Sequence, residues 1–253
     1  MNDLLRTLGL TQLAQVLPTV LDEARQQQPS YEAFLRSALQ TEVAGRQQRA
    51  LERRLRAARL PSRGRLDTFD FSFQPTLSAR LIGELASLAF VQTATNIVFL
   101  GPPGVGKTHL ASALAVKAVE AGHSALFTTL SQLVATLEEV AHPSLWRQRL
   151  RRYVQPKVLV IDEIGYSRLS IEQAHHLFEL VTARYERGPI LLTSNLTFAE
   201  WGTLLGDEVL ATALLDRLLH HAEVIPINGR SYRMKDRLPG DMVRSGTQPG
   251  GQN

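Results

Sequence analysis

Residues Gly101 to Thr108 read G-P-P-G-V-G-K-T, between the short apolar run Asn96-Ile97-Val98-Phe99-Leu100 and an Ala/Leu-rich stretch from His109 to Ala121. The spacing G-x-x-x-x-G-K-[ST] is that of a phosphate-binding loop. Its glycines let the backbone fold tightly around an anion, so that successive N–H groups point at phosphate oxygens. A strand before the loop and a helix after it are the context the pattern needs, because the helix N-terminus adds partial positive charge. Phosphate contacts are expected from Gly101, Pro102, Pro103, Gly104, Val105, Gly106, Lys107, Thr108 and His109. Lys107 is placed to reach the β- and γ-phosphates, and the Thr108 hydroxyl to ligate Mg²⁺. The ligand implied is a nucleoside triphosphate. Because the guanine signature N-K-x-D is missing, ATP is expected over GTP.

The run Lys157-Val158-Leu159-Val160-Ile161 ends in Asp162-Glu163. A continuous aliphatic run suits a parallel strand covered on both faces, and its C-terminal end is where ligands bind in open α/β sheets. Asp162 is expected in the Mg²⁺ shell, and Glu163 is placed to polarise a water against the γ-phosphate. Otherwise the pair would cap a helix starting near Ser170.

Length and composition bound the remaining choices. A chain of 253 residues can bury one α/β core and carry a smaller appendage. It is 44% hydrophobic and 21% charged, as an ordinary globular protein is. The lack of cysteine excludes disulfides and thiolate metal sites. His175-His176 and His220-His221 are adjacent pairs on expected helices, where neighbours diverge and share one metal ion poorly. No apolar stretch reaches membrane-spanning length and the N-terminus lacks a signal-peptide shape, so a cytoplasmic protein is expected.

Positive charge is concentrated at the front of the chain. Residues 1–66 hold eleven Arg and no Lys against six acidic residues, whereas the remainder is close to neutral. Arg46, Arg49, Arg53 and Arg56 recur at three- and four-residue spacing and share one helix face, with Ala44, Leu51, Leu55 and Ala58 opposite for docking on a core. Such a stripe suits phosphate backbones, or is simply a solvated helix surface. A second basic cluster, Arg147, Arg149, Arg151 and Arg152, lies between Trp146 and Tyr153 and has the same two readings.

Three regions follow. Residues 1–65 read as a small all-helical domain, with helices over Asn2–Leu10, Thr11–Gln27 and Tyr31 to about Leu60. Residues 66–238 read as an α/β core with strands at Asn96–Leu100, Ser124–Thr128, Lys157–Ile161, Pro189–Thr193 and Glu223–Ile227. Residues 239–253, rich in Gly, Pro and Gln, read as a disordered tail.

The segments F-L-G-P-P-G-V-G-K-T-H-L and V-L-V-I-D-E-I-G-Y occur across many ATPases. The later R-Y-E-R-G-P-I-L-L-T-S-N, L-D-R-L-L-H-H-A-E-V-I and G-R-S-Y-R, in that order, are more specific. Together they make the chain resemble the IstB-like ATPases, helper proteins of bacterial insertion sequences within the AAA+ class, related to DnaC and DnaA. The resemblance implies a AAA+ P-loop core with a parallel five-stranded sheet flanked by helices. It also implies a reduced or absent C-terminal lid, since few residues follow the last strand.

The resemblance further assigns Asn195 as a polar sensor beside the attacking water, unless it caps the segment near Thr197. It assigns Arg217 as a finger reaching a neighbour's nucleotide and Arg233 as a second sensor in the same chain. Either arginine is otherwise a structural ion pair, for example Arg217 with Asp216 or Glu223, and Arg184 and Arg187 compete for the finger role. Phe69 and Phe71 are either adenine neighbours or core aromatics. A finger acting in trans implies a head-to-tail homo-oligomer, as a ring or a helix. The partners implied are duplex DNA, with weak sequence preference, and a cognate transposase. A helicase loader, a non-hydrolysing scaffold and, more remotely, a small-molecule kinase are the competing functions.

Overall fold

The structure, a computed structural model, describes residues 1–61, 64–138, 143–229 and 231–232. Arg233 and the segment 239–253, and with them the lid expectation, lie outside the described residues. The chain divides into two compact units after Ala57.

The first unit is helical: α1 (Asn2–Thr7), α2 (Thr11–Gln27) and most of α3 (Tyr31–Ala58). Leu5, Leu13 and Ala38 form its small core, against which Leu10, Leu17 and Val20 pack. A Cβ on Gly45 would lie 2.3 Å from Gln12 Cγ, so α2 and α3 approach through that glycine. Glu42 is buried there and accepts from the Leu13 backbone N–H at 2.9 Å, Arg46 Nε at 3.0 Å and Arg49 Nη2 at 3.1 Å. Arg46 also donates to the Gly9 carbonyl, and Arg49 to Gln12 Oε1. Ala44 is exposed, contrary to the docking face expected for it, because Glu42, Gly45 and Arg49 turn that side of α3 to α2.

The second unit contains α4 (Ala79–Leu85), α5 (Ala89–Thr93), β1 (Asn96–Leu100), α6 (Lys107–Glu120), β2 (Ala125–Thr129), α7 (Leu130–Glu138) and α8 (Pro143–Val154). It continues through β3 (Val158–Ile164), α9 (Ile171–Arg184), β4 (Ile190–Ser194), α10 (Trp201–Leu205), α11 (Glu208–Leu219) and β5 (Ala222–Pro226). The five strands pair in parallel in the order β2-β3-β4-β1-β5. β1 and β4 are therefore central, and their residues Ile97, Val98, Leu191 and Leu192 are fully buried, as a sheet covered on both faces requires. The helix α6 is buried from Leu110 through Val116 and packs along four strands; its Ala-rich composition permits that close approach. The sheet residues Leu126, Leu159 and Ile161 join Leu137, Leu177 and Trp201 from the helices in one continuous core.

Candidate functional site

The phosphate-loop residues connect the C-terminal end of β1 to α6, whose N-cap is Gly106. Gly106 has φ 102°, and a Cβ there would meet the Phe69 ring at 2.6 Å. Only glycine meets both demands. The loop, Thr68, Phe69, Glu163, Tyr166 and Asn195 border one cleft. Within it, Lys107 Nζ donates to the Gly101 and Pro102 carbonyls at 2.6 and 2.8 Å.

Asp162 is buried at the end of β3 and accepts from Thr108 Oγ1 at 2.9 and 3.0 Å. It also accepts a short hydrogen bond from Thr193 Oγ1 on β4, a site residue the sequence reading missed. The signal was available as the hydroxyl two residues before Asn195 in T-S-N. The β3–β4 register shifts between Ile161 and Ile164, and inside that bulge Glu163 adopts φ 64°. A left-handed conformation is unfavourable for a non-glycine residue and marks a local constraint, common at functional sites. It sets Glu163 out of the ordinary pleat, so Asp162 and Glu163 both border the phosphate loop instead of alternating faces.

The capping alternatives for these residues fall away. Ser170 caps α9 in a capping box with Gln173, leaving no such role for Asp162 or Glu163. Thr197 and Glu200 do the same for the segment after Asn195. Asn195 lines the cleft, and its Oδ1 is buried with no hydrogen-bond partner. A buried amide oxygen left in this way is costly unless a ligand or water meets it. Thr108 and Asp162 form an oxygen pair that suits a hydrated hard cation beside phosphate.

The aromatic pair separates. Phe69 borders the cleft, with the His109 ring 5.7 Å away, whereas Phe71 stacks edge-on behind it at 4.9 Å and faces a different hollow. Of the finger competitors, Arg184 is removed. It is almost fully buried and its guanidinium bonds five backbone carbonyls, those of Tyr153, Val154, Pro156, Lys157 and Pro189. Burial lowers its pKa to about 10, which leaves it charged at neutral pH. Arg187 is exposed. Arg217 lies 4.6 Å over the Phe178 ring and donates to the Ala213 carbonyl of its own helix. It does not border the cleft of its own chain.

Among the basic residues, Arg53 and Arg56 are exposed on α3, whereas Arg46 and Arg49 share Glu42. On α8, Arg147, Arg151 and Arg152 are exposed and Arg149 donates to the Thr136 carbonyl at 2.7 Å. Tyr153 is part of the core, and the Trp146 ring lies against His176. Among the described residues no helix is long and apolar enough to cross a membrane.

Residues 3–239 match the family model for IstB-like ATP binding proteins. The chain is 46% identical over 246 residues to a Pseudomonas aeruginosa protein named as an ATP-binding protein of insertion sequence IS21, covering 97% of this chain and 93% of that one. It is 44% identical over 208 residues to the Geobacillus stearothermophilus counterpart from IS5376, covering 82% and 83%. Among solved structures, AMPPCP-bound DnaA from Aquifex aeolicus superposes with a TM-score of 0.54 at 19% identity, covering 70% of this chain and 54% of that one. DnaI superposes with a TM-score of 0.52 at 22% identity, covering 58% and 81%. At such identities these neighbours speak to the AAA+ fold.

Proposed function

The chain belongs to the IstB-like ATP-binding proteins of insertion sequences, and we propose that it is an ATPase that assembles on duplex DNA to assist a transposase. The observation carrying hydrolysis, beyond binding, is the bulge that sets Glu163 beside Asp162 at the mouth of the phosphate loop. In this reading the triphosphate takes Lys107 Nζ from the Gly101 and Pro102 carbonyls, and the loop N–H groups cradle the phosphates. Thr108 and Asp162 would hold Mg²⁺, which supplies charge neutralisation on the phosphates. Glu163 accepts a proton from the attacking water, and the Asn195 amide orients that water.

Arg217 then serves a neighbouring chain, because its own cleft lies elsewhere. Arg233 is retained as a second sensor from the family resemblance alone. Duplex contact is assigned to the exposed Arg53, Arg56, Arg147, Arg151 and Arg152, with Arg46 and Arg49 contributing only what their ion pairs leave free. The test is Glu163→Gln in single-turnover hydrolysis with nucleotide binding measured alongside. Binding retained with hydrolysis reduced at least about a hundredfold supports the assignment; hydrolysis at the wild-type rate overturns it.

A further inference from the structure

Outside the cleft, three metal-ligating side chains meet where α9 and α11 end. Adjacent histidines on one helix diverge, which is what sequence alone suggests for His220 and His221. Here α11 stops at Leu219. His220 is its C-cap, and the chain enters β5 at Ala222, so the two rings lie with centroids 4.1 Å apart. Glu186 follows the end of α9 at φ 57°, an unfavourable conformation for a side-chain-bearing residue, and its carboxylate Oε1 lies 3.6 Å from His221 Nε2. One ligand atom from each of Glu186, His220 and His221 falls within 4.8 Å of the others. Ligand atoms around a tetrahedral ion with bonds of about 2.0–2.2 Å are about 3.3–3.6 Å apart. All three side chains are exposed, so small rotations close the difference.

The outer partner is present as well. Tyr185 Oη lies 2.5 Å from His220 Nδ1, and the two rings stack at 5.9 Å. When Nδ1–H donates to the phenol oxygen, the Nε2 lone pair is the one left for a metal ion, the arrangement common to metal-binding histidines. Two imidazoles and one carboxylate favour zinc-class ions over the hard cation suited to Thr108 and Asp162. We propose that Glu186, His220 and His221 form a surface site for a divalent transition-metal ion, with Tyr185 holding the orientation of the His220 ring. An ion there ties the end of α9 to the end of α11, one turn beyond Arg217.

The test uses the full, untagged chain freed of metal and titrated with Co²⁺ and then Zn²⁺ in nucleotide-free buffer containing Mg²⁺. Visible absorption reports the Co²⁺ ligand field, and equilibrium dialysis counts bound Zn²⁺. The expected result is one ion per chain, displaced from Co²⁺ to Zn²⁺. His221→Ala and Glu186→Gln should each weaken apparent affinity at least about tenfold, and His175→Ala should leave it unchanged. Unchanged circular dichroism shows that each exposed substitution is folded. Either no uptake by the wild type, or uptake that Glu186→Gln and His221→Ala leave intact, overturns the assignment.

Discussion

The Thr193 hydroxyl joins the two carboxylate positions: its oxygen accepts from the Glu163 backbone N–H at 3.1 Å while its proton goes to Asp162. One small side chain on β4 thus holds both the bulge that aims Glu163 and the carboxylate that faces Thr108. Thr193→Val keeps the shape and removes both hydrogen bonds, while Thr193→Ser keeps them. Hydrolysis should fall at least about tenfold in the valine variant and stay within about threefold in the serine variant, with ATP affinity changing less than turnover. Turnover lost in the serine variant but kept in the valine variant would show that the methyl packing, not the hydroxyl, matters.

Lys107 leaves two carbonyls to meet phosphate, so nucleotide binding should depend on it directly. Lys107→Ala is expected to weaken ATP binding by at least about tenfold in equilibrium titration. Affinity equal to wild type would place the triphosphate elsewhere.

Arg184 stabilises rather than catalyses. Its five carbonyl partners join the end of α8, the approach to β3 and the start of β4, and a Cβ on Gly188 would come within 2.9 Å of its guanidinium. Removing it leaves several buried acceptors unmet, so Arg184→Ala should cost at least about 3 kcal/mol in denaturant unfolding. Arg184→Lys should recover only part, because an ammonium cannot span the same fork of acceptors. A loss below about 1 kcal/mol in the alanine variant would contradict this.

Glu42 makes the helical unit sensitive to acid. Burial works to raise its pKa, but the Leu13 backbone N–H and the Arg46 side chain outweigh that and hold it below the ordinary value of 4.5. A carboxyl depressed in the folded state contributes stability above its unfolded pKa and loses it as pH falls through the folded one. Stability of α1–α3 should therefore decline below about pH 4.5, and Glu42→Ala should cost about 2 kcal/mol at neutral pH while flattening that dependence. Amide exchange in α2, followed against pH, checks both; an unchanged pH profile in the variant would remove Glu42 as the cause.

Most of the α/β core was legible because continuous aliphatic runs such as Val158 to Ile161 have few alternatives to a buried parallel strand. Four strands shift by one residue and β1 not at all, except that β3 runs on to Ile164. That extension is the bulge, which no periodicity announces, since Asp162 and Glu163 read as the end of a strand whichever way they point. The arginine spacing on α3 was ambiguous for a physical reason. Three- and four-residue intervals serve an internal ion pair as well as a ligand face, and Glu42, one turn before Arg46, was the unread signal. His220 and His221 read as diverging because a helix was expected to run through both, whereas α11 ends at Leu219 and the turn into β5 brings their rings together.

The central claim, ATP-dependent assembly on duplex DNA with turnover at shared sites, is tested most directly by following hydrolysis and particle size together, with and without non-specific duplex, at low and moderate salt. The account predicts large ATP-dependent particles, hydrolysis stimulated by duplex, and loss of stimulation as salt rises. Mixing Lys107→Ala with Arg217→Ala protein should restore part of the activity that each lacks alone. Hydrolysis and particle size both indifferent to duplex, with no recovery on mixing, would contradict it.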